Sequence, residues 1–323
     1  MDKDDRIAVI APSGSFQKVS PLRETVEARL AAEFGFSVIY GQNCAEQNAY
    51  DSSSIESRIH DLHKAFEDKA VKAIICATGG FNSNELLRYI DWDIIKANPK
   101  HFIGSSDNSV LLNAIYAKTG MQTCFGPNYF KFGMKLGLEY TIEYMRKCIM
   151  SDKSYSVAPA QEWSNDKWYK DQDARNFHKN SGYSLYREGR GKGTIIGGNL
   201  SSLNLLQGTE YMPDLNDTIL FIEDDDLAGD ACFGELNRNL ESLLQLPSAR
   251  TIKGISVGRF PIRAEMTEEK LNFIFKTKSL PNDIPIIFNV DFGHCDPTLT
   301  FPIGGTAEII ATKGKIDITV SRN

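Results

Sequence analysis

An apolar run ends abruptly in HFIGSSDNSV, which begins at His101 and sets Ser105, Ser106 and Asp107 at a corner before a helical pattern. Such a turn holds one side chain clear of the backbone. The N–H groups that follow are unpaired and carry the positive end of the helix dipole, so they point at the same space. A serine placed there can attack a carbonyl and have its oxyanion stabilised. It can equally be a helix cap, and the GxSxG spelling of a nucleophile elbow is absent. The outcome turns on whether the chain supplies a base.

Five histidines are available. His60 and His63 form an i, i+3 pair on the polar side of an amphipathic helix, with no third metal ligand nearby. His101 begins a strand and His178 lies in an irregular segment. His294 ends the apolar run IPIIFNVDFGH and enters CDPTLTFPIGG, a loop stiffened by Pro297 and Pro302. That setting suits a positioned general base, though a satisfied loop histidine fits it as well. A base also needs a carboxylate to fix its tautomer. Glu223 closes the strand-like DTILFIE, followed by Asp224, Asp225 and Asp226. This acidic cluster lacks the alternating spacing of a calcium loop. Ser106, Glu223 and His294 thus form a coherent set at the ends of three apolar runs. The glycine pair in TGGFNSN lacks both a third glycine and a P-loop lysine. It can instead bring the Gly80 N–H beside the Ser106 turn as a second oxyanion donor.

The elements that must position these groups alternate strand and helix. RIAVIAPSG, FSVIYG, VKAIICATGG and HFIGSSD read as buried parallel strands. Leu22, Val26 and Leu30, and then Ile55, Ile59, Leu62 and Phe66, mark helix faces. Asn82 with Glu85 spells a capping-box-like start. Residues 1–150 therefore read as a Rossmann-like parallel α/β unit. Residues 151–190, polar and aromatic without clear period, read as a linker or long functional loop. Residues 191–323 read as a β-rich α/β unit. GRGKG at its start reads as a flexible entry, and Lys313-Gly314 as a hairpin turn.

The 323 residues are 41% hydrophobic and 24% charged, with a net charge of −6, ordinary for a soluble globular protein. Nothing draws such a chain toward nucleic acid or an anionic membrane. No stretch reads as a signal peptide or membrane span. Six scattered cysteines without a CxxC pair argue for reduced thiols and a cytoplasmic location.

In order, TGGFNSNELLRYID, GSSD, GGNLSSLNLLQGTEYMPD, LFIEDDD and GHCDPTLTFPIGG resemble the serine LD-carboxypeptidase family, including its microcin C self-immunity branch. The pattern runs across nearly the whole chain. The resemblance implies a Ser106–Glu223–His294 triad, oxyanion donors at the N–H groups of Gly80 and Asp107, a site between two domains, a homodimer, and no metal or organic cofactor. Two positions depart from the family pattern: Ser105 replaces an aromatic residue, and TGGFNS replaces RGGYGS. The second resembles the self-immunity branch and places Asn82 and Ser83 with the substrate. In that branch a linker aromatic stacks on a nucleobase, a part open here to Trp163 and Trp168; pinning of the linker to the body is the other reading. The expected activity is hydrolysis of a small peptide-like amide, most of all an aminoacyl-nucleotide. LD-carboxypeptidase action on peptidoglycan tetrapeptides is the same-class alternative, and non-catalytic binding of a small ligand the alternative of another class.

Overall fold

Strand β1 (Arg6–Ile10) is buried at four of its five positions, and β3 (Val71–Cys76) at five of six. Such near-continuous apolar runs belong to parallel strands covered on both faces. In the computed structural model, which describes residues 1–322, they pair with β2 (Ser37–Tyr40), β4 (His101–Gly104) and β5 (Thr123–Phe125) in the order β5-β4-β3-β1-β2, all parallel. Helices α1 (Arg23–Phe34), α2 (Ile55–Glu67), α3 (Trp92–Ala97), α4 (Ser109–Thr119) and α5 (Glu139–Ile149) accompany this sheet. Val26 and Leu30 of α1 and Leu62 and Phe66 of α2 are fully buried, as their spacing requires. Ser54 caps α2 through the Ser57 N–H.

Segment 151–190 carries more regular structure than its composition shows. It holds β6 (Tyr155–Val157), the two-stranded ribbon β7 (Glu162–Trp163) and β8 (His178–Lys179), and β9 (Ser184–Arg187). The second sheet continues with β10 (Gly189–Asn199), β11 (Thr218–Glu223), β12 (Gly254–Gly258) and β13 (Ile286–Val290). Beyond β14 (Phe301–Ile303), it ends with β15 (Thr306–Thr312) and β16 (Lys315–Ser321). The order is β6-β16-β15-β10-β11-β12-β13-β9, so the 151–190 segment supplies both of its edge strands. Strands β10 to β13 run parallel, and α6 (Leu200–Asn204), α7 (Cys232–Leu244) and α8 (Glu268–Lys276) lie among them in the chain. Strand β14 leaves this half of the sequence and pairs antiparallel with β5, closing an edge of the first sheet.

GRGKG is no flexible entry but the first half of β10, paired with β15 from Gly189↔Ala311 to Thr194↔Thr306. Its three glycines alternate, so they share one face. A Cβ at Gly191 would lie 1.8 Å from the Lys253 carbonyl oxygen, and one at Gly193 would lie 2.2 Å from that of Asp217. Neighbouring backbone approaches too closely for any side chain. The expected hairpin is present: Thr312 pairs with Lys315 around Lys313-Gly314. Among the described residues no helix is long and apolar enough to cross a membrane. All six thiols are free and buried.

Candidate active site

The singled-out residues sit where parallel strands end. Ser106 follows β4, Gly79 and Gly80 follow β3, and Ser13 follows β1. Asn199 and Glu223 are the last residues of β10 and β11, and His294 lies four residues past β13. The C-terminal ends of parallel strands are where open α/β sheets place their crevices.

Ser105 is extended, and Ser106 then turns to a φ of 60°, opening a short 3-10 turn that leads into α4. A non-glycine residue in the left-handed region is held there only by its surroundings. Those surroundings are specific. Asn128 Oδ1 accepts from the Ser105 N–H at 3.1 Å and from Asn108 Nδ2 at 3.2 Å, while Asn108 Nδ2 also reaches the Thr78 carbonyl at 3.0 Å. Beneath the turn, buried Asp107 accepts from the Ser13 hydroxyl at 2.5 Å and the Ser83 N–H at 2.9 Å, and its carbonyl accepts from Ser83 Oγ at 2.8 Å. Three loops from β1, β3 and β4 are thereby fixed to one carboxylate. A Cβ on Gly79 would lie 2.9 Å from Ser106 Cβ and 3.0 Å from its Oγ, so the glycine loop rests directly against the serine.

Neither serine caps a helix with its side chain. Ser106 Oγ lies 3.1 Å from His294 Nε2, and His294 Nδ1 lies 2.7 Å from Glu223 Oε2. Neutral His294 with its proton on Nδ1 donates to Glu223 and leaves Nε2 to accept the serine proton. Glu223 is 1% exposed, and a Cβ on Gly293 would lie 2.7 Å from its Oε2, so glycine there makes room for the carboxylate. Burial opposes a charged imidazolium, but Glu223, through charge and hydrogen bond, and Asp225, through charge, outweigh it. The His294 pKa is held up at about 9. The GGN stretch joins the halves: the Asn199 N–H donates to Ser109 Oγ at 3.0 Å, and Asn113 Nδ2 donates to the Gly197 carbonyl at 2.7 Å. Asn199 and Ser201 also hold Asp224, whose pKa burial pushes up to about 6.

The other named residues lie elsewhere in the arrangement. Ser83 is fully buried, and its N–H and hydroxyl are both engaged by Asp107, which places it behind the turn. Asn82 stands at the start of a 3-10 turn, Ser83–Leu86, without a side-chain cap bond; Glu85 pairs instead with Arg58 at 2.6 Å. Trp168 is 2% exposed and stacks on Phe130 at 5.8 Å, so it pins the loop to the body. Trp163 is half-buried, packed between His178 at 4.8 Å and the Arg259 guanidinium at 5.0 Å. His63 accepts from the Asp91 N–H, His60 faces Asn43, and His101 accepts from Arg322. Sequence reasoning passed over Ser13, Asn128 and Asn199. Asn199 alone had a signal, its place in GGN.

Residues 7–126 match the family model of the LD-carboxypeptidase N-terminal domain, and residues 192–309 match that of the C-terminal domain. YocD of Bacillus subtilis, whose name proposes a carboxypeptidase, is 44% identical over 324 residues, 100% of this chain and 98% of its own. An MccF-like protein from Bacillus anthracis strain Ames has a solved structure with a TM-score of 0.98 at 47% identity, covering 100% of this chain and 98% of that one. The microcin C7 self-immunity protein MccF of Escherichia coli is 31% identical over 330 residues, 97% of this chain and 94% of its own. An MccF structure in complex with aspartyl sulfamoyl adenosine has a TM-score of 0.87 at 28% identity, covering 100% and 97% of the two chains. With both domain models matched in order and the fold shared end to end, the chain belongs to the LD-carboxypeptidase family.

Proposed function

We propose that the protein is a serine amidase that cleaves the amide of a small aminoacyl-nucleotide, in the manner of a processed microcin-like toxin, and so protects the cell that makes it. The observation that carries the reading is the relay Ser106 Oγ–His294 Nε2 at 3.1 Å and His294 Nδ1–Glu223 Oε2 at 2.7 Å, assembled from distant parts of the chain. Ser106 Oγ attacks the carbonyl carbon while its proton passes to His294 Nε2. Glu223 stabilises the imidazolium and keeps the ring in its tautomer. The oxyanion is taken by the N–H groups of Gly80 and Asp107, donors that need no reorganisation. His294 then protonates the leaving amine, and water, deprotonated by the same imidazole, releases the acyl group from Ser106. The nucleotide preference draws its support from the likeness to MccF solved with an aminoacyl sulfamoyl nucleotide. The chemistry needs no metal or organic cofactor. A homodimer acting in the cytoplasm completes the reading.

A second substrate, a peptidoglycan tetrapeptide, is favoured by the aromatic segment. Trp168 is buried and Trp163 already packs between His178 and Arg259, so of Trp163, Trp168 and Tyr169 only Tyr169 is exposed to meet a nucleobase. The test offers wild type and Ser106→Ala an aspartyl-sulfamoyl adenosine, a glutamyl-sulfamoyl adenosine and a muropeptide tetrapeptide, with products followed by mass spectrometry. Ser106-dependent cleavage of a nucleotide supports the first reading, and cleavage of the tetrapeptide alone the second. Full activity of Ser106→Ala removes both.

A further inference from the structure

The 3-10 turn Tyr129–Gly133 and the Asn128 before it touch the Ser106 turn, the glycine loop and the His294 loop. Asn128 holds the Ser105 N–H and Asn108. The Phe130 N–H donates to the Ala77 carbonyl at 3.3 Å, at the root of the glycine loop. Lys131 Nζ forms an ion pair with Asp296 Oδ1, with both side chains largely buried at 15% and 5% exposure. Asp296 is two residues past His294. Its N–H and carbonyl both bond to Ser164, each at 2.7 Å, so the 151–190 segment clamps the same point. The first sheet's loops and the His294 loop thus meet at one buried cation–carboxylate contact.

We propose that Lys131, through its ion pair with Asp296, is a positioning residue that holds the His294 loop against the Ser106 turn. The inference rests on the serine-hydrolase reading of the site. Breaking a buried pair leaves one charge uncompensated, so the loop must shift or hydrate to relieve it. A displacement of about 1 Å in a reacting pair costs on the order of 100-fold in rate.

The charged groups acting on His294 are Glu223 and Asp225, which favour the imidazolium, and Lys131, which opposes it. Asp296 stands beside Lys131, and the buried Cys295 thiol has its pKa pushed up and stays neutral. Removing Lys131 leaves Glu223 and Asp225 acting on the ring without this opposing cation. Removing the Asp296 charge leaves the cation unbalanced. The two changes therefore push the titration of His294 in opposite directions.

The experiment is the second-order rate of labelling by a fluorophosphonate, measured from pH 6 to 11, with each plateau taken from the fitted pH profile. The Ser106 Oγ–P bond forms, the P–F bond breaks, the proton passes to His294 Nε2 and fluoride departs. Lys131→Met, Lys131→Arg, Asp296→Asn and the Met/Asn double variant are compared with wild type and Ser106→Ala. We expect Lys131→Met and Asp296→Asn to label about 100-fold more slowly at their own plateaux. The acid limb of Lys131→Met moves to higher pH and that of Asp296→Asn to lower pH. Lys131→Arg restores both rate and limb toward wild type, and the double variant stays slow with its limb near the wild-type position. A merely structural pair would lower thermal stability without opposed limbs. Wild-type labelling by folded Asp296→Asn overturns the inference even if Lys131→Met fails to fold. If wild type does not label, or Ser106→Ala labels equally, the hydrolase reading falls instead.

Discussion

His294 Nδ1 and Glu223 Oε2 lie 2.7 Å apart, with the carboxylate side chain 1% exposed and the imidazole 27% exposed. The buried anion favours the imidazolium, so under the proposed mechanism the base is expected to be protonated at neutral pH and to become competent as pH rises through about 9. We expect kcat/KM to climb from pH 7 to a plateau above pH 9. Glu223→Gln removes the stabilising charge: the limb moves toward the ordinary histidine range near pH 6.5, and the plateau falls by about 10⁴-fold. A pH–rate profile of both proteins checks this, and coincident limbs would count against it.

The same pair predicts a stability signature. A raised folded pKa stabilises fully below the unfolded value, near 6.5, and that contribution is lost as pH rises through the folded value of about 9. Wild type should lose thermal stability relative to His294→Asn between pH 7 and pH 10. Parallel melting curves across that range would show that the pair contributes nothing.

Ser106 is held at a φ of 60°, a conformation glycine adopts without penalty. Ser106→Gly should be inactive yet more stable than wild type by about 1 kcal/mol, and Ser106→Ala inactive with little change in stability. Urea titrations of the two variants measure the difference. Equal stabilities would mean the turn carries no strain at this residue.

Gly293 has a φ of 107°, and any Cβ there meets Glu223 Oε2 at 2.7 Å. Gly293→Ala therefore strains the backbone and displaces the carboxylate together. A loss of about 2–5 kcal/mol is expected, with slow phosphonate labelling in the molecules that remain folded. Wild-type stability and labelling would place the carboxylate elsewhere.

The two tryptophans should separate cleanly. Trp168→Ala removes a buried ring stacked on Phe130 and should cost about 3–5 kcal/mol of stability whatever the substrate. Trp163→Ala should cost about 1 kcal/mol through its lost contact with Arg259. If Trp163 stacks on a nucleobase, its loss raises KM for an aminoacyl-nucleotide roughly 10-fold and leaves tetrapeptide cleavage alone. Unchanged nucleotide kinetics would shift the substrate reading to the tetrapeptide.

The parallel α/β pattern and the order of Ser106, Glu223 and His294 were legible because each residue ends an apolar run, and runs are local. What brings the three within hydrogen-bond reach is not local, and the residues doing it escaped notice. Asn128 looks like an ordinary turn residue and Lys131 like a solvated lysine, since their partners Ser105 and Asp296 lie 23 and 165 positions away. The same blindness left Trp168 open to both a substrate-facing and a pinning part and made Ser83 look substrate-facing, although stacking of Trp168 on Phe130 and hydrogen bonding of Ser83 to Asp107 engage both in the body. Segment 151–190 read as irregular because two- to four-residue edge strands are too short to show a period.

Strand β14 completes the first sheet beside β5, although it is encoded more than 170 residues later. On the ribosome, the sheet that carries Ser106 must wait with an open flank until residues 301–303 emerge. His294 is made only shortly before them. If His294 activates Ser106 as proposed, a nascent chain carries its serine until that partner is made 188 positions later, and it is expected to be inert over that interval. Cutting the gene between the two halves would not yield two folding units, since each would lack a strand or a clamp held by the other.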